Sequence, residues 1–175
     1  MKPIEGYNKL RGGYYTPEKI AEFIATWAIR TKNDEILEPS CGDGSFISAI
    51  ADRLHKMGAS DQSIKHNVTG VELDKVEASK ASQYGPNVVQ SDFFTYYQKC
   101  IDGEKEFDVI VGNPPFIRYQ NFEEEYRKVA FELMTKHGFQ PNRLMNIWLP
   151  FLVLACKALK PDGRVGMVIP AELFQ

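Results

Sequence analysis

The run Asn113-Pro114-Pro115-Phe116 joins residue types that could receive a flat molecule carrying an amino group. Two prolines end a strand abruptly, because proline's φ is locked and it has no N–H to give a ladder. The residue before a proline is held extended, so Asn113 would present its amide just beyond an apolar strand at 107–111. The amide oxygen and the Pro114 carbonyl are acceptors, and Phe116 adds a face for stacking. Open α/β sheets bind ligands at this carboxyl edge of their strands. Two prolines can also be plain punctuation, and the decision between the readings falls to the other loops.

Glu38-Pro39-Ser40-Cys41-Gly42-Asp43-Gly44 follows a short apolar strand at 36–37. Its glycine pair alone implies only a tight strand-to-helix turn. Glu72, ahead of Leu73 and Asp74, adds a second acid at the end of the next strand. In nucleoside-binding sheets an acid there accepts hydrogen bonds from ribose hydroxyls. The loop has no Gly-Lys-Ser/Thr close for a triphosphate and no third glycine for a dinucleotide pyrophosphate. With Asp43 inside it, the loop suits a cationic or zwitterionic nucleoside, which points to S-adenosylmethionine. In Ser91-Asp92-Phe93, read alone, Asp92 is a helix cap and Phe93 a core residue. Beside the two preceding loops, Asp92 becomes an acceptor for an adenine amino group and Phe93 a ring that packs on it.

The elements that must position these loops alternate along the chain. Thr16 as cap and Pro17 as first helical residue open a helix with apolar positions Ile20, Phe23, Ile24, Trp27 and Ala28. A helix with Phe46, Ile47, Ile50 and Leu54 on one face closes near Gly58, and strand 68–73 precedes a polar helix over 74–82. Strands at 88–89 and 107–111 follow. Asn121 is expected to cap a helix with Glu123, Glu124 and Glu125 at its positive end and a stripe of Phe122, Tyr126, Val129, Ala130, Leu133 and Met134. An apolar helix over 144–159, bent at Pro150, leads through Pro161-Asp162-Gly163 to a fifth strand at 164–169. Strands alternating with helices predict one α/β domain whose parallel sheet is covered on both faces.

Composition sets the remaining bounds. A chain of 175 residues builds one sizeable core. A net charge of −2 argues against a self-sufficient nucleic-acid binder. Cys41, Cys100 and Cys156 match neither a zinc spacing nor a disulfide framework, so reduced thiols, no metal and a cytoplasmic location are expected. No stretch is apolar for long enough to span a bilayer.

Taken in order, Gly13-Tyr14-Tyr15-Thr16-Pro17, the Glu38–Gly44 loop, Gly70-Val71-Glu72-Leu73-Asp74, Ser91-Asp92-Phe93-Phe94 and Gly112-Asn113-Pro114-Pro115-Phe116 resemble the amino-methylating DNA methyltransferases. The likeness is greatest to the adenine-specific group found in type I modification subunits and in fused restriction–modification enzymes. It implies a three-layer, doubly wound, mostly parallel Rossmann-like sheet over residues 1–175, with region 1–34 capping the cofactor. By the same resemblance Tyr15 and Thr16 hold the methionine moiety, and Glu38, Pro39, Ser40, Cys41, Gly42, Asp43 and Gly44 line the methionine and ribose side. Glu72 with Leu73 takes the ribose, and Asp92 with Phe93 the adenine of S-adenosylmethionine. Asn113 and Pro114 hold the target amine, and Phe116 stacks on the flipped base. The implied activity is methyl transfer to the N6 amine of adenine in DNA, in a restriction–modification setting.

The chain departs from that pattern at its end. The family's last strands, the loop completing the base sandwich and the target-recognition domain are not found by residue 175. Segment 118–143 carries five Lys/Arg against four Glu and does not replace a basic cleft. Alone, this length is expected to be inactive, and its fifth strand to be an edge open to a partner or to self-association. Two other readings stay open: methylation of a protein glutamine or of RNA, and a cofactor-binding piece without turnover.

Overall fold

The computed structural model describes residues 16–142 and 144–171. The elements run α1 (Glu18–Ala28), β1 (Ile36–Glu38), α2 (Ser45–Lys56), α3 (Asp61–Asn67), β2 (Val68–Glu72), α4 (Lys75–Ala81), β3 (Asn87–Gln90), α5 (Phe93–Cys100), β4 (Phe107–Gly112), α6 (Glu124–Lys136), α7 (Trp148–Lys157) and β5 (Leu159–Met167). The strands form one five-stranded sheet in the order β3-β2-β1-β4-β5, parallel at every pairing. Order reverses between β1 and β4, and it is at such a switch point that open sheets form a ligand crevice.

Alternation along the strands builds the three layers. Ile36, Val68, Val109 and Val111 face α1 and α2 in one core. Leu37, Val71, Phe107 and Ile110 face α5, α6 and α7 in the other. Successive strand residues point to opposite faces, so a sheet covered on both sides reads as a continuous apolar run. Ile36, Leu37, Val109, Ile110 and Val111 are each fully buried accordingly.

Several local expectations are corrected. Pro17 is extended (φ −54°, ψ 134°) and its carbonyl accepts from Ile20 and Ala21, so it occupies the cap position expected of Thr16 and the helix begins at Glu18. The face of α1 that packs inward is alanine-lined, through Ala21, Ala25 and Ala28. Ile20, Phe23 and Trp27 of the expected stripe are 45%, 71% and 52% exposed. At Gly166 of β5 a Cβ would lie 2.7 Å from Ile24 and 3.7 Å from Trp27, so it is the strand that is small where these larger side chains cross it. Helix α3 lies where no helix was anticipated, capped by Ser60 through the Ser63 N–H.

Asn121 ends a single 3₁₀ turn, Tyr119–Asn121, and α6 begins after Glu123 with no side-chain cap. Its buried line of Ala130, Leu133 and Met134, with Phe122, Tyr126 and Val129 packed alongside, is the expected one. The apolar stretch 144–159 is helical only over Trp148–Lys157. Pro150 thereby falls in the first turn, where the missing N–H leaves no intrahelical bond unmade and no bend is required. Pro161-Asp162-Gly163 is an irregularity inside β5, which already pairs with β4 at Leu159; Asp162 takes φ 64° there. Among the described residues, no helix is long and apolar enough to cross a membrane.

Candidate active site

The carboxyl ends of β1, β2, β3 and β4 bring the predicted loops together through backbone and side-chain bonds. Cys41 N–H donates to the Val71 carbonyl at 3.0 Å, joining the loop after β1 to β2. Ser91 N–H donates to the Glu72 carbonyl at 3.0 Å, joining β2 to the loop after β3. Ser40 Oγ donates to the Asn113 carbonyl at 3.3 Å, joining the first loop to Asn-Pro-Pro-Phe. Val168 N–H donates to Gly112 at 3.0 Å and fixes the end of β4 from its other side.

Two glycines have distinct reasons to be where they are. Gly42 has φ +52°, a left-handed conformation that aims its N–H at Glu72 Oε2, 2.8 Å away. Gly44 has φ +97°, and a Cβ there would meet Ala81 and the Tyr84 ring at 2.9 Å. Asp43 Oδ1 accepts from the backbone and hydroxyl of Ser45 at the start of α2. Cys41 is buried, and its thiol is pushed far above the ordinary range, first by burial and then by Glu38 and Glu72, so it stays a neutral space-filling group.

Three carboxylates, Glu38, Asp43 and Glu72, share this end of the sheet. Among the described residues none of them has a lysine or arginine partner. Glu72 is held by backbone donors, Gly42 N–H on one oxygen and Asp74 N–H at 2.7 Å on the other. Burial raises its pKa despite those bonds. Glu38 is 1% exposed and its Oε2 has no hydrogen-bond partner. Burial lifts its pKa well above the usual carboxylate range, and the negative charges of Glu72 and Asp43 add to the rise. Its stem lies against Gly112, whose Cβ position would be 3.5 Å from Glu38 Cγ, so the carboxyl sits next to the residue preceding Asn113.

The remaining predicted residues fall as follows. Asp92 is 5% exposed and caps α5 through the Thr95 N–H at 3.0 Å. Phe93 is 2% exposed and stacks on Phe151 with ring centroids 4.9 Å apart, so the packing the structure displays for it is core packing. Pro39 and Pro114 are buried, whereas Ser40, Leu73, Asn113 and Phe116 are half-buried. Thr16 is 9% exposed at the head of α1. Tyr15 lies outside the described residues.

One part of the surroundings went unread in the sequence. Residues 117–119 pair with 145–147 through Tyr119 N–H to Met145 at 3.0 Å and Ile147 N–H to Ile117 at 2.9 Å. The buried Tyr119 donates its hydroxyl to the Arg127 carbonyl at 3.2 Å, tying this stretch to α6. The chain after Phe116 is thus anchored rather than free. The signal was weak because the pairing spans nearly thirty intervening residues without a strand pattern on either side.

A buried orphan carboxyl oxygen and an acidic trio without a cation fit a ligand that brings positive charge and several donors. S-adenosylmethionine is such a ligand, with its ammonium, sulfonium and ribose hydroxyls, and Glu38, Asp43 and Glu72 are the groups that would hold it. The all-parallel sheet covered by helices on both faces is of the Rossmann-like α/β type.

Comparison with known proteins places it more closely. The family model described as N-6 DNA Methylase matches residues 4–175, and the chain belongs to that family. It is 30% identical over 165 residues to the type II methyltransferase M.HincII of Haemophilus influenzae, covering 93% of this chain and 28% of that protein. It is 27% identical over 171 residues to the modification methylase CviBIII of Paramecium bursaria Chlorella virus NC1A, covering 93% of this chain and 38% of that one. Its fold is similar to a chain of the DrdV–DNA complex solved by cryo-electron microscopy, with TM-score 0.70, 19% identity, and 97% of this chain and 22% of that one covered. The chain therefore spans well under half the length of these relatives.

Proposed function

We propose that this chain is the cofactor- and base-binding part of an adenine-specific DNA methyltransferase of a restriction–modification system. In this reading a methyl group passes from S-adenosylmethionine to the N6 amine of adenine in DNA. The observation that carries it is the Ser40–Asn113 bond, which couples a cation-poor acidic pocket to an amine-accepting loop. The relatives support the reading, being named as methyltransferases and a modification methylase.

Each residue then has a physical task. Asp43 and Glu38 face the cationic methionine end, Glu72 accepts from the ribose and Asp92 from the cofactor's adenine, while Tyr15 and Thr16 close the methionine side. Leu73 and Phe93 supply apolar support below the nucleoside. When bound, S-adenosylmethionine supplies a methyl group made electrophilic by the sulfonium. Adenine's exocyclic nitrogen is a poor nucleophile because its lone pair is delocalised into the ring. Asn113 Oδ1 and the Pro114 carbonyl, accepting from its two N–H groups, draw the nitrogen toward a pyramidal shape and stabilise the charge that develops. Phe116 stacks on the flipped base, offsetting part of an unstacking cost of a few kcal/mol. Positioning and fixed dipoles do this chemistry, and the proton shed by the methylated nitrogen passes to solvent.

The test is Asn113→Ala, assayed for transfer of labelled methyl to adenine-containing DNA and separately for cofactor affinity by calorimetry. Transfer is expected to fall by roughly 10²–10³-fold, the loss typical of removing one preorganised polar contact, with cofactor affinity near that of the parent. Equal loss of both would reject the role. RNA and glutamine-containing peptide offered in place of DNA decide the substrate class.

A further inference from the structure

Two groups of the same size and nearly the same shape must be told apart at this site: the cofactor before transfer and the thioether left after it. They differ by one methyl and one positive charge. Glu38 is the group placed to read that charge. It is fully surrounded, its Oε2 is orphaned, and its stem lies on Gly112 beside the loop that holds the target amine. Among the described residues, the charges that act on it come from Glu72 at the end of β2 and Asp43 in its own loop, both acidic. The Cys41 thiol is its uncharged neighbour, and Gly112 at the end of β4 lies against its stem.

We propose that Glu38 distinguishes S-adenosylmethionine from its thioether product by a change of protonation, carrying its proton when the pocket is empty or holds the thioether and releasing it when the sulfonium is bound. This rests on the methyltransferase reading above and extends it to the preference of the site for cofactor over product. The balance is simple. Glu38 gives one proton to solvent as a net cation enters, and takes one back from solvent once methyl transfer has left a neutral thioether.

The physical reason is the cost of an unpaired carboxylate. In a pocket that already holds two negative groups, a third cannot ionise without a cation beside it. Burial raises the pKa of Glu38 well above the usual carboxylate range in the empty protein, and the neighbouring Glu72 and Asp43 raise it further. A sulfonium nearby supplies the missing charge, and the orphaned oxygen faces an attractive field in place of an apolar wall. Return of the proton removes that attraction and weakens the hold on the product.

The experiment is calorimetric titration of the full chain with S-adenosylmethionine and with S-adenosylhomocysteine, each in two buffers of different ionisation enthalpy. The difference between buffers counts protons released, a readout independent of turnover. About one proton is expected to leave per cofactor bound at pH values where Glu38 is protonated, and none per thioether. Cofactor affinity should rise by up to about tenfold per pH unit in that range, with thioether affinity flat. Glu38→Gln should abolish the release and reduce the preference for cofactor over product on the order of tenfold, the excess of a charge-assisted contact over a neutral one.

Equal proton release with both ligands, or none with either, overturns the proposal while leaving the cofactor site intact. Binding of neither ligand would remove the methyltransferase reading together with it. Should Glu38→Gln not fold, the parent's pH profiles with the two ligands decide: parallel profiles overturn the proposal, divergent ones support it.

Discussion

The two ends of the same sheet treat acidic residues in opposite ways. At the amino ends of the strands every buried or half-buried carboxylate among the described residues has a cation. Asp34 Oδ2 accepts from Arg164 at 3.0 Å, and Lys160 bridges Glu35 at 2.7 Å and Asp108 at 3.0 Å. At the carboxyl ends, among the described residues, Glu38, Asp43 and Glu72 meet only backbone N–H groups, a serine hydroxyl and one another. One end is closed electrostatically by its own chain. The other, in the proposed function, is completed by the ligand, whose binding would recover the cost in stability.

That contrast predicts which substitutions disturb folding and which disturb binding. The largest effect is expected at the paired end. Arg164→Ala leaves Asp34 buried with only the Arg30 and Thr31 donors. Denaturant unfolding should show a loss of about 3 kcal/mol, the low end for a broken buried pair because three donors remain. Cofactor affinity should not move, and a matching loss of affinity would mean that the two ends are not independent.

Glu72→Gln should act the other way round. It keeps the shape and one acceptor but cannot satisfy both Gly42 and Asp74 N–H groups while also receiving a ribose. A calorimetric drop in cofactor affinity of roughly tenfold is expected, with a smaller change in stability than that of Arg164→Ala.

The pH dependences of the two ends should have opposite signs. Burial raises the Glu38 pKa, with Glu72 and Asp43 adding to it. The unfolded chain therefore loses this proton first. The stability Glu38 contributes is complete below its ordinary value of about 4.3 and is lost as pH rises through the folded value. Glu38→Gln should flatten that alkaline-side decline and stabilise the empty protein near neutral pH by about 1 kcal/mol, or a few degrees in Tm. A wild-type decline that persists unchanged in the variant would show that Glu38 is not its source.

Asp108 sits at the other end with its pKa lowered. Burial alone would raise it, but the Glu35 N–H and the bond and charge of Lys160 outweigh that. Its contribution is present above the ordinary aspartate value of about 3.9 and is lost as pH falls through the folded value. Asp108→Asn should remove part of the acid-side loss and cost under about 1 kcal/mol at neutral pH, since Lys160 is partly exposed. A change on the alkaline side instead would break the contrast.

What could be read in the chain, and what could not, divides along the same physical lines. The strands were legible because burial on both faces demands unbroken apolar runs, as at 107–111. The loops were legible because turn glycines, paired prolines and isolated acids keep their meaning over a few residues. Helix faces were less secure. In α1 the larger apolar side chains Ile20, Phe23 and Trp27 drew the expected stripe, while the face that packs inward is Ala21, Ala25 and Ala28. Asn121 and the stretch 144–147 went astray for a related reason, being claimed by a turn and by pairing with 117–119.

By itself, then, the sequence determined the alternation of strands and helices, the three acids and the Asn-Pro-Pro-Phe turn, since all of these are local in the chain. Only the tertiary structure decided that Glu38 is sealed in with an orphaned oxygen and that, among the described residues, the paired cations stand at the far end. Burial and charge pairing depend on which distant segments meet. Ser40 reaches Asn113 and Arg164 reaches Asp34 across 73 and 130 residues of chain, separations that no local pattern encodes.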